Sequence, residues 1–179
     1  ISSGSVLYLH PDDDGTLLIE AGHRGESDDR TARLDVSTYD TEMVIEAARS
    51  MYLVGVDELV LVDRNGHPDD CVEAAMDLTT KLSGLEILET TDRKLVFRNI
   101  MDPASVSIRK SVLRLKLVVL SMHRDAVRAV TGNDPALARQ VVARDDEADK
   151  LLHLVTRQFQ RALEDLQTVE QLDTTRSKL

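Results

Sequence analysis

The chain has 179 residues, 42% hydrophobic and 3% aromatic, so aliphatic side chains must fill the core of one large or two small domains. The formal net charge of −10 excludes a nucleic-acid or membrane footprint over the whole surface, although it leaves room for a local basic patch. No run approaches the roughly 18 apolar residues that span a bilayer, so the sequence predicts no membrane insertion.

The charged residues are biased toward the short carboxylate and away from lysine. The chain has 21 Asp against 11 Glu and 16 Arg against 6 Lys. A halophilic source explains this bias, and a GC-rich genome explains part of it equally well. Cys71 is the single cysteine, so no intrachain disulfide forms, and we expect a buried, inert thiol in a cytoplasmic protein.

The N-terminal segment predicts a β-hairpin. Two short apolar runs, residues 6–9 and 16–19, flank a turn-forming Pro-Asp-Asp-Asp-Gly sequence at residues 11–15. A two-stranded hairpin is marginal in water, so we expect it to pair with another sheet. Residues 21–30 are polar and predict a linker.

The next segment alternates strand and helix patterns, which predicts helices packed on one sheet. The predicted strands are residues 32–36, 58–62, 85–90 and 94–97. Asp40 or Thr41 caps a helix that runs to about Leu53, and a second helix covers residues 68–83.

From Asp102 onward the apolar period is helical. Asp102 is the predicted cap and Pro103 the first turn of a helix that runs to about Thr131. Residues 132–135, Gly-Asn-Asp-Pro, break it, and the next helix has no Gly or Pro before about Leu172. A break this short predicts two long antiparallel neighbours.

The last helix has an apolar heptad seam, meaning apolar residues spaced alternately four and three apart. The seam consists of Ala148, Leu152, Val155, Phe159, Ala162, Leu166 and Val169. Extended backwards, it places Asp145 where an apolar residue belongs, with Asp149 on the same face. The partner helix has two neighbouring apolar stripes, which predicts a bundle of three or more helices.

An ionised carboxylate in such a seam needs compensation, because burying it alone costs several kcal/mol. One interpretation pairs Asp145 with Arg144, Arg124 or Arg128, or leaves it on a wet helix surface. The other makes Asp145 and Asp149 ligands of a divalent or transition metal, with Fe, Zn, Mn and Mg as candidates. Two carboxylates are too few for a tight site, so further ligands would come from another helix.

Residues 141–151 resemble the DxxxD motif in the first repeat of PhoU phosphate-uptake regulators, and residues 122–126 lie where that family has its first long helix. The resemblance implies a multinuclear metal cluster bound jointly with an ExxxD motif on the following helix. That second motif is not found here, and the chain stops at Leu179, about where a third helix would begin. We therefore expect this chain to supply only the DxxxD ligands of such a metal site.

Residues 4–9 and 14–19 are similar to the second half of the SpoVT/AbrB swapped-hairpin domain. Archaea join such a domain to a PhoU-like region through an α/β segment, and this chain follows that order. The resemblance implies an archaeal homodimer. The first AbrB half, which supplies most DNA-contacting residues, is absent, so DNA binding would need an N-terminal part missing here, and its residues stay unknown.

The sequence thus predicts an α+β protein with an AbrB-like hairpin and linker (1–30), an α/β segment (31–101) and a PhoU-like helical region (102–179). We find no phosphate-binding Gly loop and no nucleophile motif, so no catalytic residue is predicted. The predicted function is non-enzymatic regulation of phosphate uptake, including a role in transcription, with phosphate transport or signalling proteins as partners. The alternatives are a structural oligomerisation module and a general AbrB-type DNA-binding transcription factor.

Overall fold

The computed structural model describes residues 6–11, 17–22, 30–67, 69–102 and 106–164. The N-terminal strands β1 (Val6–Pro11) and β2 (Leu17–Gly22) pair antiparallel, with Val6 opposite Gly22. This pairing confirms the predicted hairpin. Its turn and most of the predicted linker lie outside the described residues, and its AbrB-like character stays a prediction.

Residues 30–101, here called the α/β unit, follow the predicted element order. The elements are β3 (Thr31–Asp35), α1 (Thr41–Leu53), β4 (Glu58–Val62), α2 (Asp69–Lys81), β5 (Leu85–Thr91) and β6 (Lys94–Asn99). The strand order in the sheet is β3-β4-β6-β5; β3 and β4 are parallel, and the other pairs are antiparallel. Every predicted strand and helix of this segment is present, with ends that differ by a few residues.

One apolar core lies between this sheet and its two helices. Alternate residues of β4 and β6 face inward, because side chains on a strand point to opposite faces in turn. The buried set comprises Leu59, Leu61, Leu95 and Phe97 of the strands, Val44, Ala48 and Tyr52 of α1, and Cys71, Ala75 and Leu78 of α2. Cys71 is buried as predicted, and desolvation raises the pKa of its thiol.

The helical region consists of α3 (Ile108–Thr131), α4 (Pro135–Ala143) and α5 (Asp145–Glu164). Arg114, early in α3, contacts Glu147, while Asp125, later in α3, contacts the earlier Arg144. Residues late in α3 therefore meet residues early in the α4–α5 pair, so the predicted antiparallel arrangement is confirmed. None of the described helices is long and apolar enough to cross a membrane.

Two helix boundaries differ from the sequence prediction. Helix α3 begins at Ile108 instead of following Asp102, because the Ser107 hydroxyl accepts from the backbone N–H of Lys110 and caps it. The second long helix is also not continuous: it is interrupted at Arg144, whose backbone N–H turns back to Val141 and Val142. No Gly or Pro marks this break, so the sequence pattern did not show it.

The buried face of α5 also differs from the predicted seam. Ala148 and Ala162 are buried as expected, but the predicted seam residue Leu152 is 49% exposed. The other buried positions are Leu151, Leu154, Arg157 and Gln158. The face is displaced because α5 packs against α1 and α2 of the α/β unit as well as against α3.

Candidate functional site

The predicted metal ligands lie at the start of α5, directly after the break at Arg144. Asp145, Asp146 and Glu147 form the acidic first turn of this helix, where negative charge complements the helix dipole. Asp145 and Asp149 are both exposed. Asp145 is therefore not buried in an apolar seam, because the helix that would have placed it there is interrupted one residue earlier.

The arginines considered as partners of Asp145 are occupied elsewhere. Arg144 pairs with Asp125 of α3, with 2.6 Å between Nη2 and Oδ2, and its Nη1 donates to the Ser121 hydroxyl at 3.1 Å. Arg128 lies 3.5 Å from the same Asp125, and Arg124 donates to the Leu120 carbonyl. The contacts of Arg124 and Arg128 lie within α3, whereas those of Arg144 join α3 to the α4–α5 junction and stabilise the break.

Within the described ranges no three His, Cys, Asp or Glu side chains are grouped so that they could hold a metal ion. Asp145 and Asp149 contribute two exposed carboxylates from one helix face, and a tight oxygen-ligand site needs more. The described residues therefore do not fit a complete metal site. The assignment of Asp145 and Asp149 as ligands stays a prediction.

His153 lies one helical turn beyond Asp149 and faces α1. Burial and the nearby Arg49 guanidinium lower its pKa, and Asp149 and Glu46 partly oppose that shift. Its Nδ1 is buried without a hydrogen-bond partner. His153 is thus an interface residue that favours its neutral form, a state consistent with packing between two helices.

Arg157 of α5 makes three hydrogen bonds from the helical region to the α/β unit. It is 5% exposed, and its Nη1 donates to the carbonyls of Tyr52 and Val56 at 2.7 and 2.8 Å. Its guanidinium also lies 4.9 Å from the centre of the Tyr52 ring. Arg157 therefore caps the C-terminal end of α1, where carbonyl groups lack helical partners.

Asp57 supplies the negative charge of this cluster. Its carboxylate accepts from Arg157 Nη2 at 2.6 Å, from Arg161 Nη1, and from the backbone N–H of Arg30 at 3.2 Å. Arg161 also donates to the carbonyl of Gly55. We call Asp57, Arg157 and Arg161 the α1 clamp, because together they fasten α5 to the end of α1.

A further cation on α5 bonds to α2. Lys150 Nζ donates to the carbonyl of Thr80 at 2.9 Å, close to the C-terminal end of that helix. Lys150, Arg157 and Arg161 therefore direct positive charge at the carbonyl ends of two helices of the α/β unit, which complements both helix dipoles.

A comparison with known protein families matched the helical region. Residues 112–177 match the family model described as the PhoU domain. Searches of curated proteins and of solved structures gave no match. The match starts in the first turns of α3 and continues beyond the described end of α5, so the helical region is PhoU-like, and it indicates a role in phosphate-uptake regulation in general terms.

The match to the PhoU domain includes the α5 residues of both groups described above. Asp145 and Asp149 lie within the match, and so do Arg157 and Arg161 of the α1 clamp. Helix α5 is therefore shared: one side packs in the PhoU-like group of helices and the other packs on the α/β unit.

Sequence reasoning missed the α1 clamp. The spacing of Lys150, Arg157 and Arg161 along α5 was a usable signal, because residues seven and four apart fall near one helix face. Nothing in the sequence identified Asp57, about a hundred residues earlier, as their partner. The apolar periodicity predicted Asp145 as the buried charge of this helix, whereas the structure buries Arg157 and exposes Asp145.

Proposed function

We propose that this protein regulates phosphate uptake through contacts with other proteins and not through catalysis. The observation that supports the proposal is the match of residues 112–177 to the PhoU domain, which covers α3 from Val112, α4 and α5. The antiparallel packing of these helices supports a surface for protein contacts, since bundles of this kind present long helix faces.

The α/β unit is proposed to act with the PhoU-like region as one body. The α1 clamp supports this, because a buried ion pair with carbonyl acceptors holds α5 on α1. A partner that contacts either part would then bind the same rigid surface.

We also propose a homodimer that pairs through the N-terminal hairpin. Its support is physical: a two-stranded hairpin is marginally stable in water unless it joins a further sheet. Light scattering with chromatography tests it, comparing the full chain with a chain that begins at Arg30. A monomeric full chain would contradict the dimer.

The physiological role is tested in a deletion strain of the source organism. We expect the difference in phosphate uptake between phosphate-replete and phosphate-starved cells to diminish on deletion and to return with the wild-type gene. The matched control is a gene with Glu58→Gln, a half-exposed position on the sheet, which should restore regulation fully. Unchanged uptake ratios in the deletion strain would overturn the proposed role.

The transcriptional part of the proposal has its own test. A chain extended at its N-terminus would bind duplex DNA with an affinity that falls steeply with salt, whereas residues 1–179 alone would not. DNA binding with no effect of deletion on phosphate uptake would favour a general DNA-binding transcription factor instead.

A further inference from the structure

The α1 clamp holds more positive than negative charge. Its two guanidinium groups, of Arg157 and Arg161, share the carboxylate of Asp57, and Oδ1 accepts from both. The three side chains are largely buried, with 6%, 13% and 13% of their side-chain surfaces exposed. One of the two positive charges therefore has no counter-charge within the clamp, and a buried charge without one is costly.

Arg30 brings a third positive group to the same place. Its backbone N–H donates to Asp57, and its Nη1 lies 3.4 Å from the position that a Cβ on Gly55 would take. Cγ of Arg161 lies 2.8 Å from that same position, so the two side chains meet over Gly55. Burial lowers the pKa of Arg157 most, and the charges of Arg161 and Arg30 lower it further. Three arginines therefore act on one small region of the clamp.

Arg161 has unused hydrogen-bond donors. Within the described chain its hydrogen bonds are donated by Nη1, to the Gly55 carbonyl at 3.2 Å and to Asp57. Nε is buried without a partner, and it shares one edge of the planar guanidinium with Nη2. An edge of this kind forms paired hydrogen bonds to carboxylate or phosphate oxygens. Among the described residues, Arg161 therefore presents an unpaired anion-binding edge beside a surplus positive charge.

These features select a small anion as the occupant. The surplus positive charge repels a cation. A DNA backbone is contacted by exposed cationic groups, whereas Arg157 and Arg161 are largely buried. An acidic side chain of another protein would bring its own backbone into the junction between α5 and α1. A tetrahedral oxyanion offers several acceptors in a small volume, and hydrogen phosphate carries one to two negative charges near neutral pH.

We propose that the α1 clamp binds inorganic phosphate at the Nε–Nη2 edge of Arg161, with Arg30 beside it. The bound anion supplies the missing counter-charge and so tightens the attachment of α5 to α1. This inference deepens the proposed function, on which its regulatory meaning rests, by naming phosphate as the effector. A change in phosphate supply then changes how firmly the PhoU-like helices are held on the α/β unit.

Isothermal titration calorimetry on the full chain, in a buffer without oxyanions, tests the site with sodium phosphate. We expect saturable binding with a Kd below about 1 mM. Phosphate should also raise the urea midpoint, because a ligand that binds only the folded state stabilises it. Sodium sulfate and AMP are the comparison ligands, and both should bind more weakly. Sulfate has no hydroxyl to donate to the nearby carboxylate of Asp57, and AMP carries its phosphate on a group too large for a buried junction.

Variants of the chain locate the binding. Arg161→Lys keeps the charge but loses the planar edge, so it should weaken phosphate binding about tenfold or more. Arg139→Lys is the matched control, because Arg139 is an exposed residue of α4, and it should bind phosphate as wild type does. Arg30→Gln removes a positive charge but leaves the backbone hydrogen bond to Asp57, so it should weaken binding as well. The rise in urea midpoint caused by phosphate is compared within each variant, so a change in basal stability does not mask the result.

Three results would overturn the phosphate site: no saturable binding with a Kd below about 1 mM, sulfate or AMP binding as tightly as phosphate, or wild-type binding by Arg161→Lys. The effector role is tested in the deletion strain, where phosphate-dependent uptake should return with the Arg139→Lys gene and stay lost with Arg161→Lys. Full regulation by Arg161→Lys would contradict phosphate as the effector. Phosphate binding to the purified chain with unchanged uptake ratios in the deletion strain would contradict the proposed function and leave the site intact.

Discussion

Arg157 and Asp57 show how a buried charge is tolerated at the junction of the two parts of the molecule. Burial lowers the pKa of Arg157, and the carboxylate of Asp57 opposes that shift, so the guanidinium stays charged. The same environment raises the pKa of Tyr52 to about 12, chiefly by desolvation. Nη1 of Arg157 donates to two carbonyl groups and Nη2 donates to Asp57, and these hydrogen bonds offset part of the cost of dehydration.

Replacing Asp57 with Asn tests the α1 clamp. The substitution leaves Arg157 buried without a counter-charge, so we expect the free energy of unfolding to fall by about 3–5 kcal/mol. Urea unfolding monitored by circular dichroism at 222 nm measures it. Glu58→Gln is the control: Glu58 lies 3.8 Å from Arg98 in a half-exposed pair, where about 0–1 kcal/mol is expected. Equal effects of the two substitutions would contradict the clamp.

Both backbone conformation and lack of space favour glycine at position 55, and a double variant separates these two contributions. Its φ of +91° is in the region that disfavours side chains, and a Cβ there would lie 2.8 Å from Arg161 Cγ. We expect Gly55→Ala to lower the free energy of unfolding by more than about 1 kcal/mol. In an Arg161→Ala background the penalty should shrink without vanishing, because only the backbone strain remains. An unchanged penalty would exclude the steric contribution.

At the scale of elements, the break between α4 and α5 decides the surroundings of Asp145. In a continuous helix this carboxylate would follow Val141 into the apolar seam. The interruption instead makes it a first-turn residue of α5, exposed beside Asp146 and Glu147. The α4–α5 junction is in turn fastened to α3 by Arg144 and Asp125.

The metal-site prediction is tested on this element. If Asp145 and Asp149 are ligands, a chain extended past Leu179 should contain bound Fe, Zn, Mn or Mg by elemental analysis after purification. Asp145→Ala and Asp149→Ala should each remove most of that metal, and Asp146→Ala, a neighbouring acid, should not. Metal content that is absent, or that is unaffected by Asp145→Ala, would contradict the site.

The interface between α5 and α1 should be sensitive to pH through His153. The pKa of His153 in the folded protein lies below the ordinary histidine value of 6.5, so folding favours the neutral form. Its contribution to stability is therefore fully present above about pH 6.5 and is lost as the pH falls through the folded pKa. The charged groups facing it are Arg49 and Glu46 of α1 and Asp149 of α5.

The measurement is the urea midpoint at about pH 7.5 and about pH 5.5, a range in which few exposed carboxylates titrate. We expect wild-type protein to lose stability at the lower pH and His153→Gln to lose less. His123→Gln, at an exposed position of α3, is the control and should behave as wild type. A pH response identical in wild type and His153→Gln would contradict the interface role of this residue.

At the scale of the whole molecule, α5 joins two groups of elements that the sequence divides into separate domains. It packs on α3 and also on α1 and α2, and its buried residues belong to both contacts. Shared packing of this kind couples local unfolding of the parts. The α/β unit and the PhoU-like helices should therefore unfold together.

This coupling predicts a single transition in denaturant. Near-ultraviolet circular dichroism follows tyrosines, of which Tyr52 is buried in the α/β core, while the signal at 222 nm is dominated by helices. The chain has no Trp to obscure the tyrosine signal. We expect the two probes to give coincident midpoints. Separate midpoints, with the helical signal lost first, would show that α5 does not couple the parts.

The sequence by itself determined the local elements and their order. Strand β4 at residues 58–62 follows from a short continuous apolar run. Helix α1 follows from a capping Asp40 at its start and Gly55 after its end, and all these signals act over a few neighbours. The PhoU resemblance likewise rested on a short run around Asp145 and Asp149, and the family match over residues 112–177 agrees with it.

Only the tertiary structure decided which charged residues are buried and what they contact. Periodicity placed Asp145 in the interior and gave no indication that Arg157 is buried. In the structure Asp145 is exposed, whereas Arg157 is buried, with 5% of its surface exposed. The break at Arg144 is held by Asp125, and the burial of Arg157 is offset by Asp57, partners that are distant in sequence. A helical pattern specifies a face, but the free energy of burying a charge depends on the groups that meet it across that face.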